Sequence, residues 1–217
     1  MRTFVSVIVA AGLLVEPAFA APSVKAEHGN IVLHDGKTVR PLTRSGHDSD
    51  PILSPDGKRV AFVRHGAKVP GMKLCADELT GDFSRELWSI SANGGAEKRL
   101  LVAHGEMKRQ ATVCDFQNLQ FNSTGQLLYF ETPAWATSGA SHVFDFKSGK
   151  EHFVVPSNET IVLSHCSDEQ YRDDLVVAMH RYYAMGGSYD WYWLIAPNGK
   201  EIGPLGESAG MARDECS

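Results

Sequence analysis

Few residues in this chain have types and spacings that could do chemistry. Gly206-Glu207-Ser208-Ala209-Gly210 has the G-x-S-x-G spacing of a serine nucleophile elbow. An elbow needs a buried strand before the serine and a helix after it, so that the turn lifts the hydroxyl toward a base. The residues before it read EIGPL, with a glycine and a proline, and no histidine follows Ser208. The pattern is read as a chance match in an irregular tail. The 9 histidines fall in no H-x-H or H-E-x-x-H spacing, and the cysteines form no C-x-x-C pair. Neither a resident metal nor another cofactor is expected on that pattern. Asp48 and Asp50 stand beside His47, where short acids are expected to cap a turn rather than to ligate calcium. No catalytic set is complete, and the chain is read as a non-enzyme.

The most unusual composition is Arg181 to Trp193, RYYAMGGSYDWYW. Tyr182, Tyr183, Tyr189, Asp190 and Trp191 gather around Gly186-Gly187-Ser188. Aromatic rings on a Gly/Ser loop give a large contact area with few rotors to freeze, which suits a protein partner. The same rings could stack on a sugar. With Asp190, Asp173 or Asp174 nearby, the alternative is a carbohydrate- or peptide-binding or hydrolysing site in 182–193. Tyr192 to Ile195 also alternates as a core strand would.

Residues 1–20 read as a signal peptide. Arg2 precedes an apolar run from Phe4 to Val15, Glu16-Pro17 breaks it, and Ala18-Phe19-Ala20 supplies a cleavage site. That run is too short for a membrane-spanning helix, which needs about 20 residues. Residues 21–217 are then one exported domain, periplasmic or secreted. Its 4 cysteines, Cys75, Cys114, Cys166 and Cys216, imply two disulfides in such a compartment. Three connectivities are open; Cys75–Cys114 with Cys166–Cys216 is favoured because each pair would tie neighbouring loops. A net charge of −5 leaves no basic excess to release counterions, so nucleic acid is not an expected partner.

The elements that must position these residues are strands. In PILSPDGKRVAFVR, Pro51 to Arg64, two apolar runs flank the turn Ser54-Pro55-Asp56-Gly57. Proline presets φ, aspartate bonds back to the backbone, and glycine takes positive φ, so this is a β-hairpin. Glu86 to Ser91 and Lys98 to Val102 add a third and a fourth strand. The plan returns 68 residues later, with Gly57 matched by Gly125 and Phe62 by Phe130. A weaker copy runs from Thr160 to Leu205. Before them stands half a unit: a polar lead-in at 21–29, a strand at Ile31-Val32-Leu33, a turn at Asp35-Gly36, and a partner strand from Thr38 to Leu42. The second strands, VAFV, LLYF and LVVAM, are apolar without alternation, so both their faces must be covered. Four-stranded sheets stacked side by side do that. The fold class expected is all-β: a β-propeller-like array of four-stranded antiparallel blades, three and a half to four in number. The array closes as a small ring, stays an open arc, or is completed by a second copy in a homodimer.

PILSPDGKRVAFVR followed by ELWSISANGG resembles the TolB-type β-propeller repeat. In that family an SPDG-like turn joins the first two strands of a blade, and a W-x-[IV] pattern marks the third. Ser54 to Gly57 and Trp88-Ser89-Ile90 fit. The second copy departs, with Ser123 and Thr124 at the positions of Pro55 and Asp56 and Phe144 at that of tryptophan. The resemblance implies a propeller and, as an expectation, an interaction module that meets another protein of the cell envelope.

Overall fold

The structure, a computed structural model, describes residues 21–68, 75, 83–106, 108–135, 138–210 and 216. The segment read as a signal peptide, and most of the loop between the second and third strands of the SPDG unit, lie outside the described residues.

The described chain is built of antiparallel strands in sequence order, grouped into four sheets. Blade 1 holds β1 (Ser23–Glu27), β2 (Asn30–Asp35) and β3 (Thr38–Pro41). Blade 2 holds β4 (Asp48–Leu53), β5 (Arg59–Lys68), β6 (Phe83–Ser91) and β7 (Lys98–Val102). Blade 3 holds β8 (Gln117–Phe121), β9 (Leu127–Pro133), β10 (Gly139–Asp145) and β11 (Lys150–Ser157). Blade 4 holds β12 (Glu159–Val162), β13 (Leu175–Tyr182), β14 (Ser188–Ile195) and β15 (Glu201–Gly206). The array expected from the repeat is therefore present, as three blades of four strands preceded by one of three.

Two expectations for the first blade are corrected. The polar lead-in at 21–29 contains a strand, β1, joined to β2 by His28-Gly29, both at positive φ (51° and 72°). Two left-handed residues in a two-residue loop match the twist of the flanking strands. The following turn is Gly36-Lys37 rather than Asp35-Gly36, because Asp35 pairs with Thr38 inside the ladder.

The apolar second strands bury both faces, each against a different neighbour. Val60 and Phe62 of β5 pack with Ile31, Val24 and Leu42 of blade 1 and its margin. Ala61 and Val63 of the same strand pack with Phe121, Leu128, Phe130 and Phe144 of blade 3. Tyr129 and Val143 of blade 3 then meet Leu175, Val177 and Ile195 of blade 4. Among the described residues, no further blade covers the outward face of blade 4, at Val176 and the half-buried Leu194. It lies instead under Leu163, Cys166, Ala209 and Cys216.

The meander fixes which connections share an end of the array. Turns between first and second strands, and between third and fourth, lie at one end, here the turn face. Loops between second and third strands, and the links between blades, lie at the other, the loop face.

Candidate interaction surface

The aromatic stretch is the β13–β14 hairpin, and its tip lies on the loop face. Tyr183 N–H donates to Gly187 O at 3.1 Å and Gly186 N–H to Tyr183 O at 3.1 Å. Gly186 and Gly187 take φ of 97° and 86°, a region in which a side chain would be strained. The tip is well exposed: Tyr182 at 70%, Tyr183 at 55% and Met185 at 98%.

Strand alternation divides the five residues expected to form one patch. His180 pairs with Asp190 and Tyr182 with Ser188, which places these side chains on the outward face. There His180 Nδ1 lies 2.8 Å from Asp190 Oδ1, and Tyr182 meets the imidazole edge-on at 5.0 Å. Tyr189 pairs with Arg181 and Trp191 with Met179 on the other face. There Tyr183, Tyr189 and Trp191 form a row, with centroids 4.7 Å and 5.4 Å apart and rings inclined at 37° and 69°. Rings so inclined fix one another and offer edges rather than one flat platform. Behind them the Arg181 guanidinium lies 4.1 Å from the Trp193 ring centre and contacts Glu201.

Several other ionisable groups are engaged by neighbours. On the loop face, a cavity of about 270 Å³ is lined by Gly29, Gly46, His47, Asp48, Ser49 and His65. Asp48 does not cap a turn, as its position before the SPDG hairpin suggested. It is buried in β4 and accepts from Arg64 Nε at 2.6 Å and Nη2 at 3.0 Å. Arg64 also reaches Glu97 at 2.7 Å, and these carboxylates hold its guanidinium firmly protonated. His65 is held below the usual imidazole range, first by burial and then by Arg85, whose Nη1 lies 2.8 Å from His65 Nδ1. Asp115 sits 3.6 Å from Arg85 Nε and accepts from Phe116 N–H and Gln117 Nε2.

On the turn face, a cleft of about 290 Å³ is lined in part by Asp56, Lys58, Arg59 and Lys98. The Ser54 hydroxyl, foremost, and the Lys58 N–H keep the Asp56 carboxyl low. Ser54, Pro55, Asp56 and Gly57 thus form a self-bonded turn: Ser54 Oγ donates to Asp56 Oδ1 and accepts from Arg59 N–H, and Gly57 N–H reaches Ser54 O. Gly125 ends the equivalent turn of blade 3 at φ 68°, the same value as Gly57.

Cys75 is bonded to Cys114 and Cys166 to Cys216. Ser208 is exposed, and its Oγ accepts from Gly210 N–H. Among the described residues, no group of three or more His, Cys, Asp or Glu is placed to hold a metal ion, and no helix is long and apolar enough to cross a membrane.

One polar cluster escaped the sequence. Glu131 of β9 accepts from Asn118 Nδ2 at 3.0 Å and from Thr160 N–H of blade 4. Gln120 Nε2 donates to Thr160 O at 2.7 Å while its Oε1 accepts from Val162 N–H at 2.9 Å. A side-chain amide so supplies the donor and acceptor of a missing backbone bridge between β8 and β12. A signal for the neighbouring geometry existed. Asp50 and Asn118, at the repeat offset of 68, share φ of 48° and 49°, and each lies at a bulge in its inner strand.

No family model matches the chain, and no curated protein matches it. Solved structures do. The β-propeller domain of the Trilobed protease from Pyrococcus furiosus aligns at 19% identity and TM-score 0.53, over 86% of this chain and 53% of that one. The Pyrococcus horikoshii acylaminoacyl peptidase aligns at 16% identity and TM-score 0.50, over 83% and 28%. TolB from Acinetobacter baumannii aligns at 15% identity and TM-score 0.47, over 82% and 37%. The chain spans about half or less of these structures' lengths. The likeness is one of fold: an array of β-propeller blades, with the TolB-type turn in its second blade.

Proposed function

We propose that this chain is a non-catalytic interaction module, exported to the periplasm or beyond, whose blades present the β13–β14 hairpin to another protein of the cell envelope. One observation carries the reading: Tyr182, Tyr183 and Met185 stand exposed on a hydrogen-bonded hairpin, whereas Asp48, Arg64 and His65 beside the loop-face cleft are engaged by other side chains. Exposed aromatic and methionine side chains held on a stiff support are the composition of interface hot spots. The two disulfides support an oxidising compartment. The glycan-binding or hydrolytic alternative is less well served. Asp190 is engaged by His180, and the Tyr183–Tyr189–Trp191 rings pack at angles to one another.

A photo-crosslinking side chain at Met185, compared with one at the exposed Ile202 of β15, tests this in intact cells. The expected result is a discrete, saturable adduct from position 185 alone. Tyr183→Ala should weaken it by roughly tenfold or more, as for a hot-spot residue. Equal diffuse adducts from both positions would count against the reading.

A further inference from the structure

Among the described residues, blade 1 has three strands where the other blades have four. The place left open is the innermost. β2, its turn and β3 lead directly into β4, just as β6 and β7 lead to β8 and β10 and β11 lead to β12. β1 therefore occupies the second-strand position held elsewhere by β5, β9 and β13. Those strands are covered on their inner edges by β4, β8 and β12. Among the described residues, no strand covers the inner edge of β1.

The hydrogen-bond phase identifies the free groups. A two-residue turn makes its flanking pair, Glu27 and Asn30, exchange both backbone bonds, and the phase then alternates along the hairpin. Lys25 and Val32 are bonded; Val24 and Ala26 direct N–H and C=O away from β2. Neither has another backbone partner among the described residues. Ala26 is exposed even though it stands opposite the fully buried Ile31. β1 packs against β4, β4 against β8, and β8 against β12. A strand added to that inner edge would lie at about 4.8 Å from β1.

We propose that the inner edge of β1 binds one extended segment of a partner protein by strand addition, a docking site separate from the β13–β14 hairpin. The chain's own inner strands indicate the segment's chemistry. Ile52 and Leu53 of β4, and Val162 of β12, place apolar side chains where the blades pack, and Ile161 of β12 packs on the other face under the chain's last described residues. The segment takes an apolar residue beside Ala26 and a carboxylate across from the exposed Lys25. Backbone bonds supply affinity and the alternating side chains supply selectivity.

The probe is a fluorescein-labelled peptide copying residues 157–164, SNETIVLS, titrated into the full chain and followed by anisotropy. Ala26→Pro removes an edge donor without touching a β1–β2 bond. Val39→Pro does the same on the outer edge, at β3, where Val39 is 58% exposed. Saturable binding is expected, weakened about tenfold or more by Ala26→Pro, the loss of roughly one good backbone bond and its fit, and unchanged by Val39→Pro. Hydrogen exchange at residues 23–27 of the unsubstituted chain should slow by a similar factor on saturation, a readout that does not need the proline variant to fold. Absence of saturable binding, equal loss in both variants, unchanged exchange, or a dimer of the chain dispersed by Ala26→Pro would each overturn the proposal.

Discussion

Replacing Asp48 by alanine should unfold this protein several degrees earlier. The Asp48 side chain is fully buried, at 0% exposure, and both its oxygens are held by Arg64. Breaking a buried pair by removing one partner costs about 3–5 kcal/mol, because the other charge is left without compensation. Here the guanidinium keeps Glu97 at 2.7 Å and the face of Trp88 at 4.4 Å, which moves the expected cost of Asp48→Ala to about 3 kcal/mol, the lower end of that range. At roughly 2–4 °C per kcal/mol for a domain of this size, the melting temperature should fall by about 6–12 °C. Arg64→Met should cost more, about 4–5 kcal/mol, since it strands the fully buried carboxylate. The double variant should cost less than the sum, with a coupling of about 2–3 kcal/mol. Urea unfolding at neutral pH, with m-values checked for constancy, measures all three. A cost below about 1 kcal/mol for Asp48→Ala, or additive single costs, would show that the pair is not the buried lock described here.

Four smaller predictions follow from other sites. Glu131 and Asp174 are raised above the usual carboxylate range, first by burial, with Glu159 and Asp173 respectively adding repulsion. Folded-state carboxyls with raised pKa hold protons that the unfolded chain releases, so their contribution is fully present at acid pH and is lost as pH climbs through the raised values. Asp56 and Asp145 are lowered and act in the opposite sense, so the measurement is a difference: between pH 4 and 7 the urea midpoint of Glu131→Gln should decline less than that of the unsubstituted chain. An identical decline would sink the assignment. Tyr129→Phe should stabilise by about 1 kcal/mol in urea, because the buried hydroxyl has no partner among the described residues. Gly125→Ala should cost about 1–2 kcal/mol, since φ is +68° and the new Cβ would sit 3.3 Å from Ser54 Cβ; Gly149→Ala, also at +68° but in open space, should cost less. Replacing Cys166 and Cys216 together by alanine should cost about 2–4 kcal/mol, as a closed loop of 50 residues implies, measured against the unsubstituted chain in thermal melts.

Blades 2, 3 and most of 4 were legible because turn chemistry and apolar runs agree there. SPDG, NSTG and PNGK each carry a glycine where φ is positive, between runs too apolar to have a wet face. β1 was not legible for a physical reason. SVKAE has one β-branched residue, its polar/apolar alternation rests on the small side chain of Ala26, and its turn opens on His28 rather than on the Asn, Asp or Gly that marks a hairpin in sequence. Its strand character comes from pairing with the apolar β2, a tertiary effect. The shift from Asp35-Gly36 to Gly36-Lys37 is of another kind. An Asp-Gly pair suits a turn with two left-handed residues, whereas here Gly36 alone is left-handed and occupies the first central position. Asp48 looked like a cap because its partner, Arg64, lies on the far side of the hairpin and becomes adjacent only through the β4–β5 register. The aromatic stretch was visible as composition, but composition does not show which rings share a face, and the β13–β14 register separates Tyr182 and Asp190 from Tyr189 and Trp191.

The joints between blades explain how one order of blades is specified when the cores are so alike. Valine, leucine and phenylalanine at the three interfaces are interchangeable in kind, and packing alone would tolerate slippage of one sheet across another. The polar joints are not interchangeable. Arg40 of blade 1 donates to the carbonyls of Ala92 and Asn93 in the blade 2 turn, both at 2.6 Å. Arg59 of blade 2 donates to Gly125 O of blade 3 at 3.0 Å and covers the Phe146 ring at 3.9 Å. Asp173 of blade 4 accepts from Ser123 N–H at 2.6 Å and from its Oγ at 2.7 Å. Each joint joins turn-face elements of successive blades, yet the donor changes from a strand arginine to a turn serine. The serine of NSTG where SPDG has proline has a structural reason in that joint. Ser123 stands where Pro55 does, and proline has neither the N–H nor the hydroxyl that Asp173 engages. At position 123 the bonds to the next blade need both a backbone N–H and a hydroxyl, and serine supplies them.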